Sequence, residues 1–296
     1  MFNLERCQVL AHRGLEPANN NFYPESSYEA FEDQLSRGFG IEFDPNFTKD
    51  GIVVWHDATL ERLSEGQDKR AFRDVLVEEL SQIRYWNKNH TKEGKIPTFD
   101  EVMDLIRKGS SKINALHLKG KFQNQADLAL LTEYLQRNID VLSRLLVFDV
   151  KVETAGVLFA KFPEMQLAPS VAHAYDVKRY NSVVAETLIE TSEAEMLLKQ
   201  GAFGKYPWVW LDEWDLTDEG GQEKKLYTKD VFKRMRDVGA KISLVTPELH
   251  GTSPGLYGGE SHPDAKDRLT LSNRVREIIS LEPDAICTDY PEEFSK

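Results

Sequence analysis

The chain of 296 residues is 41% hydrophobic and carries a net charge of −12, which suits a globular protein that buries roughly 75% of its unfolded surface. The acidic balance and the lack of a basic stripe with interleaved aromatics argue against nucleic-acid and anionic-lipid binding. Two cysteines are too few for a disulfide framework. Because apolar runs of roughly 18 residues are missing and Met1 to Arg6 is too short and charged to precede a signal-peptide core, we predict a cytoplasmic protein without stable membrane insertion. We expect residues 1–296 to form a single domain.

Short apolar, β-rich runs alternate with longer amphipathic segments along the whole chain. The predicted strands run over Gln8 to His12, Ile41 to Asp44, Ile113 to Lys119, Leu145 to Phe148, Met165 to Pro169, Trp208 to Leu211, Lys241 to Val245 and Ala285 to Thr288. The predicted helices run over Ser27 to Arg37, Phe99 to Lys108, Gln125 to Asn138, Val152 to Phe162, Ser182 to Gln200, Thr228 to Val238 and Leu271 to Leu281. Strict alternation implies a parallel sheet. Eight such units fit a closed (β/α)₈ TIM barrel of about 250 residues, with a doubly wound open sheet as the alternative.

Several predicted helix ends have local chemistry behind them. Ser26 and Glu29 have the spacing of a capping box before the first helix, and Thr98 and Glu101 repeat it before the second. Gly38 supplies a C-terminal stop for the first helix. These signals support the alternation of strands and helices.

The segment Thr246 to Arg268 lacks a periodic pattern. It holds six glycines and prolines before Pro263. Segments of this length and composition are usually lids or disordered loops. We expect a long loop on the catalytic face.

Two acids in the second predicted strand are the first sign of a site. Glu42 and Asp44 lie two residues apart within Phe39 to Phe47, which otherwise has the composition of a buried strand, so their side chains share one face. Two buried carboxylates repel each other and are costly to desolvate unless a cation or a proton lies between them. A divalent metal ion is the usual solution. The alternative is a buried ion-pair network with Arg13 or Lys119.

Polar residues also end the neighbouring predicted strands. In a barrel, catalytic groups come from the C-terminal ends of the strands and from the loops that follow them. His12 ends the first strand, Glu42 and Asp44 end the second, and His117 and Lys119 end the third. We therefore expect these side chains to point into one mouth.

A second histidine can reach the same mouth. His56 follows a short apolar run from Ile52 to Trp55, which is preceded by the turn Lys49 to Gly51. A small hairpin inserted after the second strand would return His56 to the barrel mouth. The adjacent Asp57 either orients His56 or only ends a strand.

Several short pieces, taken in order, resemble a known family. They are His12-Arg13-Gly14, Pro24-Glu25-Ser26-Ser27, Ile41-Glu42-Phe43-Asp44, Thr48-Lys49-Asp50-Gly51, His56-Asp57, Ile96-Pro97-Thr98 and Thr288-Asp289-Tyr290-Pro291. Together they resemble the glycerophosphodiester phosphodiesterases, which are similar to phosphatidylinositol-specific phospholipases C. The resemblance covers nearly the whole chain.

The resemblance implies a (β/α)₈ barrel and a metal-dependent hydrolase. It implies that Glu42 and Asp44 are metal ligands, with Mg²⁺ or Ca²⁺ as the ion, and that His12 and His56 are the general acid and base. The substrate would be a small phosphodiester, and the products would be glycerol phosphate and an alcohol. The resemblance also implies a role in lipid and glycerol metabolism.

Phosphodiester cleavage requires the same residue types, independently of the resemblance. Phosphodiester cleavage needs a deprotonated nucleophile, a protonated leaving oxygen and neutralised charge on the phosphoryl oxygens. Two imidazoles and a cation meet these needs. Arg13 and Lys119 are natural phosphate contacts, since arginine offers a planar fork and lysine a point charge.

The chain departs from the family pattern at two places. In Leu116-His117-Leu118-Lys119, His117 replaces the usual acid. His117 is either a third metal ligand, which favours Mn²⁺ or Zn²⁺, or a phosphate contact, or a core histidine. In the loop after the seventh strand, Leu244 to Pro247 replaces the family's Trp-Thr-x-Asn, so the resemblance does not imply a choline or ethanolamine ester.

Two other functions fit parts of the pattern. One is a non-catalytic phosphodiester or polyol-phosphate binding protein with a degraded metal site. The other is a barrel glycosidase that uses Glu42 with an acid from Asp212 to Asp215. The pair His12 and His56 favours the phosphodiesterase, because binding alone needs no proton transfer.

Overall fold

The computed structural model of the protein describes residues 7–16, 19, 21–214, 216, 218, 220–247 and 268–294. For residues 268, 271 and 293 it describes the backbone alone. Most of the loop predicted between Thr246 and Arg268 therefore lies outside the described residues. Among the described helices, none has both the length and the apolar character needed to cross a bilayer.

Strands and helices alternate over the described chain. The strands are β1 (Gln8–His12), β2 (Gly40–Phe43), β3 (Pro45–Phe47), β4 (Ile52–Val54), β5 (Arg84–Trp86), β6 (Glu93–Lys95), β7 (Asn114–His117), β8 (Leu145–Phe148), β9 (Gln166–Leu167), β10 (Ser170–Ala172), β11 (Leu188–Glu190), β12 (Trp208–Leu211), β13 (Lys241–Val245) and β14 (Ala285–Thr288). The α-helices are α1 (Tyr28–Ser36), α2 (Val77–Ser81), α3 (Phe99–Lys108), α4 (Gln125–Arg137), α5 (Val152–Lys161), α6 (Ala174–Tyr180), α7 (Thr191–Lys199), α8 (Lys229–Asp237) and α9 (Arg268–Ser280).

Ten of the described strands form one parallel sheet that closes on itself. Their order is β11-β10-β12-β13-β14-β1-β2-β7-β8-β9. Strands β9 and β10 are separated only by Ala168 and Pro169, and β9 pairs with β8 while β10 pairs with β12. The Ala168 amide donates to the Val147 carbonyl at 2.9 Å, and the Trp210 amide donates to the Pro169 carbonyl at 3.0 Å. Residues 166–172 therefore bond on both sides, which closes the predicted (β/α)₈ barrel and excludes the open sheet.

The barrel interior is packed rather than hollow. Trp208 and Trp210 lie inside it with Leu10, Leu146 and Phe148. The Trp208 indole donates to Gln166 Oε1 at 2.7 Å. A larger apolar cluster fills the layer between the strands and the surrounding helices, as expected for a parallel sheet covered on its outer face.

The antiparallel pair β3 and β4 follows directly after β2. Pro45 pairs with Val54 and Phe47 pairs with Ile52. The turn is fixed by Thr48, whose hydroxyl accepts from the Gly51 amide at 2.9 Å. The chain leaves β4 toward the barrel mouth, two residues before His56.

The predicted helix from Ser182 to Gln200 is wrong in its first half. Residues 188–190 form β11, and α7 begins only at Thr191. Ala185 and Glu186 have φ of 58° and 61°, which no α-helix accommodates. The Asn181 side chain bonds both the amide and the carbonyl of Leu188, so a local clamp and pairing with β10 replace the helix.

One of the two predicted caps begins a residue later than expected. Ser27, not Ser26, caps α1, and its hydroxyl accepts from the Ala30 amide at 3.0 Å. The capping box of α3 is confirmed, because Thr98 and Glu101 bond each other's amides at 3.2 and 2.9 Å.

Two glycine substitutions are expected to have opposite effects on stability. A Cβ on Gly40 would lie 2.2 Å from the Ile113 carbonyl oxygen, which is backbone immediately before β7. Gly40→Ala should therefore lower the free energy of unfolding by about 1–3 kcal/mol. Gly156 is exposed in α5 with nothing within 4 Å of its Cβ position, so Gly156→Ala should raise it by about 0.5–1 kcal/mol. Urea unfolding measures both, and a Gly40→Ala protein as stable as the unmodified one would contradict the packing at Gly40.

Candidate active site

A cavity of about 870 Å³ opens at the C-terminal ends of the barrel strands. The structure brings all of the predicted site residues to its wall: His12, Arg13, Glu42, Asp44, His56, His117 and Lys119. They come from β1, β2, β7 and the segments that follow β1, β2, β4 and β7. A volume of this size suits a small organic ligand.

The two acids from the second strand are deeply buried. Glu42 is 3% exposed and Asp44 is 1% exposed. Burial, and then the charge of Asp44, raise the pKa of Glu42. Burial would also raise the pKa of Asp44, but Lys119 and the nearby histidines outweigh it and hold that pKa well below its usual range. Asp44 is therefore ionised, whereas ionisation of Glu42 is unfavourable.

The same acids form a cluster that suits a metal ion. One ligand atom from each of Glu42, Asp44 and His117 lies within 4.8 Å of the others. Asp44 Oδ2 is buried and accepts no hydrogen bond from the residues that the structure describes. Its contact with Arg13 Nε, at 3.9 Å, is too long for a hydrogen bond. Two carboxylates, one with an unused oxygen, and an imidazole are a donor set that fits a divalent ion.

His12 is oriented by an acid from the other end of the chain. Its Nδ1 lies 2.7 Å from Oδ1 of Asp289, which is fully buried. Burial and then Arg13 would lower the pKa of His12, but Asp289 and Glu42 reverse the effect and the net pKa is raised. The sequence motif included Asp289, but its role follows only from the fold.

His56 is oriented by its neighbour. Asp57 Oδ1 lies 2.9 Å from His56 Nδ1, and Asp57 Oδ2 accepts from Arg62 Nε at 2.5 Å. Arg62 also pairs with Glu25. Burial, and then Arg13, lower the pKa of His56 to about 3. His56 is therefore neutral. The contact between Asp57 and His56 favours the interpretation that Asp57 orients the ring over the one that it only ends a strand.

His117 is held between two carboxylates. Its Nδ1 lies 3.0 Å from Asp44 Oδ1 and its Nε2 lies 2.9 Å from Asp149 Oδ2. Burial lowers the pKa of His117, but Asp149 and Asp44 outweigh this and raise it to about 9. Sequence reasoning missed Asp149. Its position directly after β8, at the catalytic end of a barrel strand, was the available signal.

Two basic side chains complete the polar half of the cavity. Lys119 Nζ lies 3.0 Å from Asp44 Oδ1 and donates to the His56 carbonyl at 2.5 Å. Arg13 lies 3.6 Å from Glu25 and 3.9 Å from Asp44. The ion pair between Asp44 and Lys119, an alternative raised by the sequence, is thus present in the structure. These cations give an acidic protein the local positive charge that a phosphate group needs.

The other half of the cavity is aromatic and apolar. Phe148 and Trp210 stack at 3.7 Å between ring centroids, and Tyr180 packs edge-on against Trp214 at 4.6 Å. Asp212 lines the same side, and burial, followed by the charge of neighbouring acids, raises its pKa to about 7. One substrate group can therefore contact charged residues while another contacts aromatic rings.

Fold and site together define a barrel protein equipped for phosphoryl chemistry. The model of the glycerophosphoryl diester phosphodiesterase family matches residues 12–293. The chain belongs to this family and is a phosphoric diester hydrolase. The resemblance carried by the sequence motifs is confirmed.

Solved structures share the fold at low sequence identity. A glycerophosphoryl diester phosphodiesterase from Parabacteroides distasonis is 20% identical, with a TM-score of 0.62 and coverage of 97% of this chain and 84% of that one. A glycerophosphodiester phosphodiesterase from Agrobacterium tumefaciens is 18% identical, with a TM-score of 0.60 and coverage of 97% and 99%. A phosphodiesterase from Oleispira antarctica, solved with the product sn-glycerol-3-phosphate, is 16% identical, with a TM-score of 0.58 and coverage of 97% and 94%. The chain matches none of the curated proteins with which it was compared.

Proposed function

We propose that the protein is a metal-dependent phosphodiesterase that hydrolyses glycerophosphodiesters to glycerol phosphate and an alcohol. The observation that carries the proposal is the matched orientation of His12 and His56. Each ring bonds a carboxylate through Nδ1, at 2.7 and 2.9 Å, and we assign the proton transfer to Nε2 of each ring. Both rings line the cavity that holds Glu42 and Asp44.

The two imidazoles supply the acid and the base. One protonates the leaving oxygen, and the other removes a proton from the nucleophile, which is a water or a neighbouring substrate hydroxyl. The pKa of His12 is raised and that of His56 is lowered. Opposite shifts of two titratable groups in one site are what separate acid and base roles require.

Charged residues bind the phosphate group and hold the ion. Arg13 and Lys119 contact the phosphoryl oxygens, one as a planar fork and the other as a point charge. Glu42, Asp44 and His117 would hold a divalent metal ion, which neutralises charge on the phosphoryl group. The carboxylates suit Mg²⁺ or Ca²⁺, and the imidazole shifts the preference toward Mn²⁺ or Zn²⁺.

Two observations bear on the substrate and the alternatives. The Oleispira structure was solved with sn-glycerol-3-phosphate, which supports a small glycerophosphodiester as the substrate. Family membership argues against the barrel glycosidase. The non-catalytic binding protein would have no use for two histidines that are each oriented by a carboxylate. We propose that the single domain over residues 1–296 suffices for the activity.

The decisive test is metal-restored turnover. Chelator-stripped protein should release glycerol phosphate from a panel of glycerophosphodiesters when Mg²⁺, Ca²⁺, Mn²⁺ or Zn²⁺ is added back singly. We expect the highest rate with Mn²⁺ or Zn²⁺ because His117 contributes a nitrogen ligand. Binding of a diester without turnover under any metal would favour the binding protein. Full turnover without metal would contradict the metal site.

A further inference from the structure

We infer that Asp149 is a positioning residue that makes His117 a metal ligand through Nδ1. The inference rests on the metal site proposed above, and it assigns a role to a residue that lies behind the ligands. Asp149 is 7% exposed and immediately follows β8. It contacts His117 on the ring edge opposite to Asp44.

The hydrogen bonds of the ring decide which nitrogen faces the ion. His117 Nε2 lies 2.9 Å from Asp149 Oδ2. An ionised carboxylate only accepts hydrogen bonds, so Nε2 carries the proton of this contact. Nδ1 lies 3.0 Å from Asp44 Oδ1, on the side of the proposed ion, so it is the nitrogen that would give up its proton and offer its lone pair when an ion binds. An ion bound beside Asp44 takes the place of the proton that Nδ1 and Asp44 share in its absence.

The fold fixes Asp149 in this position. Its φ of 65° lies in the left-handed region, which is unfavourable for most residues other than glycine. The Gln123 side chain donates to the Asp149 carbonyl at 2.6 Å and accepts from the Lys151 amide at 2.9 Å. The backbone around Asp149 is therefore clamped from the segment that follows β7.

The ring itself has little freedom. His117 stacks on Phe148, with 4.7 Å between ring centroids and 11° between their planes. One face is thus fixed by an aromatic ring while both nitrogens are fixed by carboxylates. A carboxylate behind a ligating imidazole sets its tautomer and raises its basicity, and loss of such a partner lowers metal affinity about 10–100-fold.

The test is Mn²⁺ affinity measured by calorimetry on chelator-stripped protein. We expect Asp149→Asn to weaken Mn²⁺ binding about 10–100-fold. In a His117→Glu background the same substitution should not weaken binding, because a carboxylate ligand at position 117 needs no acceptor behind it and is repelled by Asp149. A role for Asp149 in general stability alone would lower the affinity equally in both backgrounds.

Asp212→Asn is the matched control, because Asp212 lines the same cavity while both nitrogens of the His117 ring are engaged by Asp44 and Asp149. It is measured at about pH 8.5, where Asp212 is ionised, since its pKa is raised only to about 7. Its Mn²⁺ affinity should stay within about threefold of the unmodified protein, a smaller change than loss of a ligand's partner causes. An equal loss in Asp212→Asn and Asp149→Asn would overturn the inference.

A second measurement needs no variant. In the ¹⁵N spectrum of the unmodified protein with Zn²⁺, His117 should show a coordinated Nδ1 and a protonated Nε2. The opposite tautomer, or unchanged affinity in a folded Asp149→Asn protein, would overturn the inference while leaving the metal site intact. Failure of the unmodified protein to bind any ion would instead count against the proposed function.

Discussion

His12→Ala and His56→Ala are each expected to lower kcat/KM for a glycerophosphodiester by about 10³-fold, because each removes a positioned proton-transfer group worth about 10²–10⁴-fold. The two rings lie in one cavity and are held by separate acids, Asp289 and Asp57. Loss of either ring leaves the other oriented but without its counterpart. Substrate binding should change much less, since Arg13 and Lys119 remain.

The double variant distinguishes a joint mechanism from two independent contributions. If both rings act in one proton-transfer sequence, the double variant should be only slightly slower than either single variant. If the losses in kcat/KM instead multiply, to about 10⁶-fold in the double variant, the two histidines act independently.

The matched control is His90→Ala, which removes an imidazole from an exposed turn outside the cavity. Its kcat/KM should stay within about twofold, because exposed substitutions of this kind have small effects. For the four variants and the unmodified protein, kcat/KM is measured from the release of glycerol phosphate at saturating metal. Undiminished activity in His12→Ala would contradict the proposed mechanism.

Glu42→Gln and Asp44→Asn are both expected to abolish metal binding. Their effects on the stability of the metal-free protein are expected to have opposite signs. The pKa of Glu42 in the folded state is raised, chiefly by burial and then by Asp44. Its contribution to stability is therefore present below the unfolded pKa and lost as the pH rises through the folded pKa. Neutral pH lies above the unfolded pKa, where a raised folded pKa makes the group destabilising, so Glu42→Gln should raise the stability of the metal-free protein.

The contribution of Asp44 to the stability of the metal-free protein at neutral pH has the opposite sign. Burial disfavours its charge, but Lys119 and the histidines more than compensate, and its folded pKa is lowered. Its stabilising contribution is present above the unfolded pKa and is lost as the pH falls through the folded pKa. At neutral pH Asp44→Asn removes it and leaves the buried Arg13 and the half-buried Lys119 without this partner, at a cost of about 3–5 kcal/mol.

Thermal melting with and without Mn²⁺ measures both effects. The unmodified protein should gain about 2.7 kcal/mol at a metal concentration near 100 times Kd, and neither variant should respond to metal. A metal-dependent gain in either variant would remove that residue from the ligand set. Equal destabilisation of both metal-free variants would contradict the charge balance described for the pair.

The barrel could be predicted because each of its strands is marked by a short apolar run in the sequence. The runs from Gln8 to His12, Leu145 to Phe148 and Trp208 to Leu211 match β1, β8 and β12 at both ends, since buried parallel strands need continuous apolar side chains. The helix predicted from Ser182 failed because nothing local shows that Leu188 to Glu190 gains hydrogen bonds from β10.

The positions of the site residues could be predicted for a related reason. His12, Glu42 and His117 lie at or near the C-terminal ends of neighbouring strands, and parallel strands place those ends together. Register adds precision, because His12 pairs with Glu42 across β1 and β2. Motif order and strand ends were therefore enough to bring these residues to one cavity.

By itself, then, the sequence determined the alternation of strands and helices, the acid pair on one strand face and the residue types of the site. Only the tertiary structure decided which acid holds which ring. Asp289 reaches His12 across 277 positions and Asp149 reaches His117 across 32, because β14 pairs with β1 and β8 pairs with β7. Periodicity and capping signals extend over a few residues, whereas these contacts depend on strand order and register, which burial of the whole chain fixes.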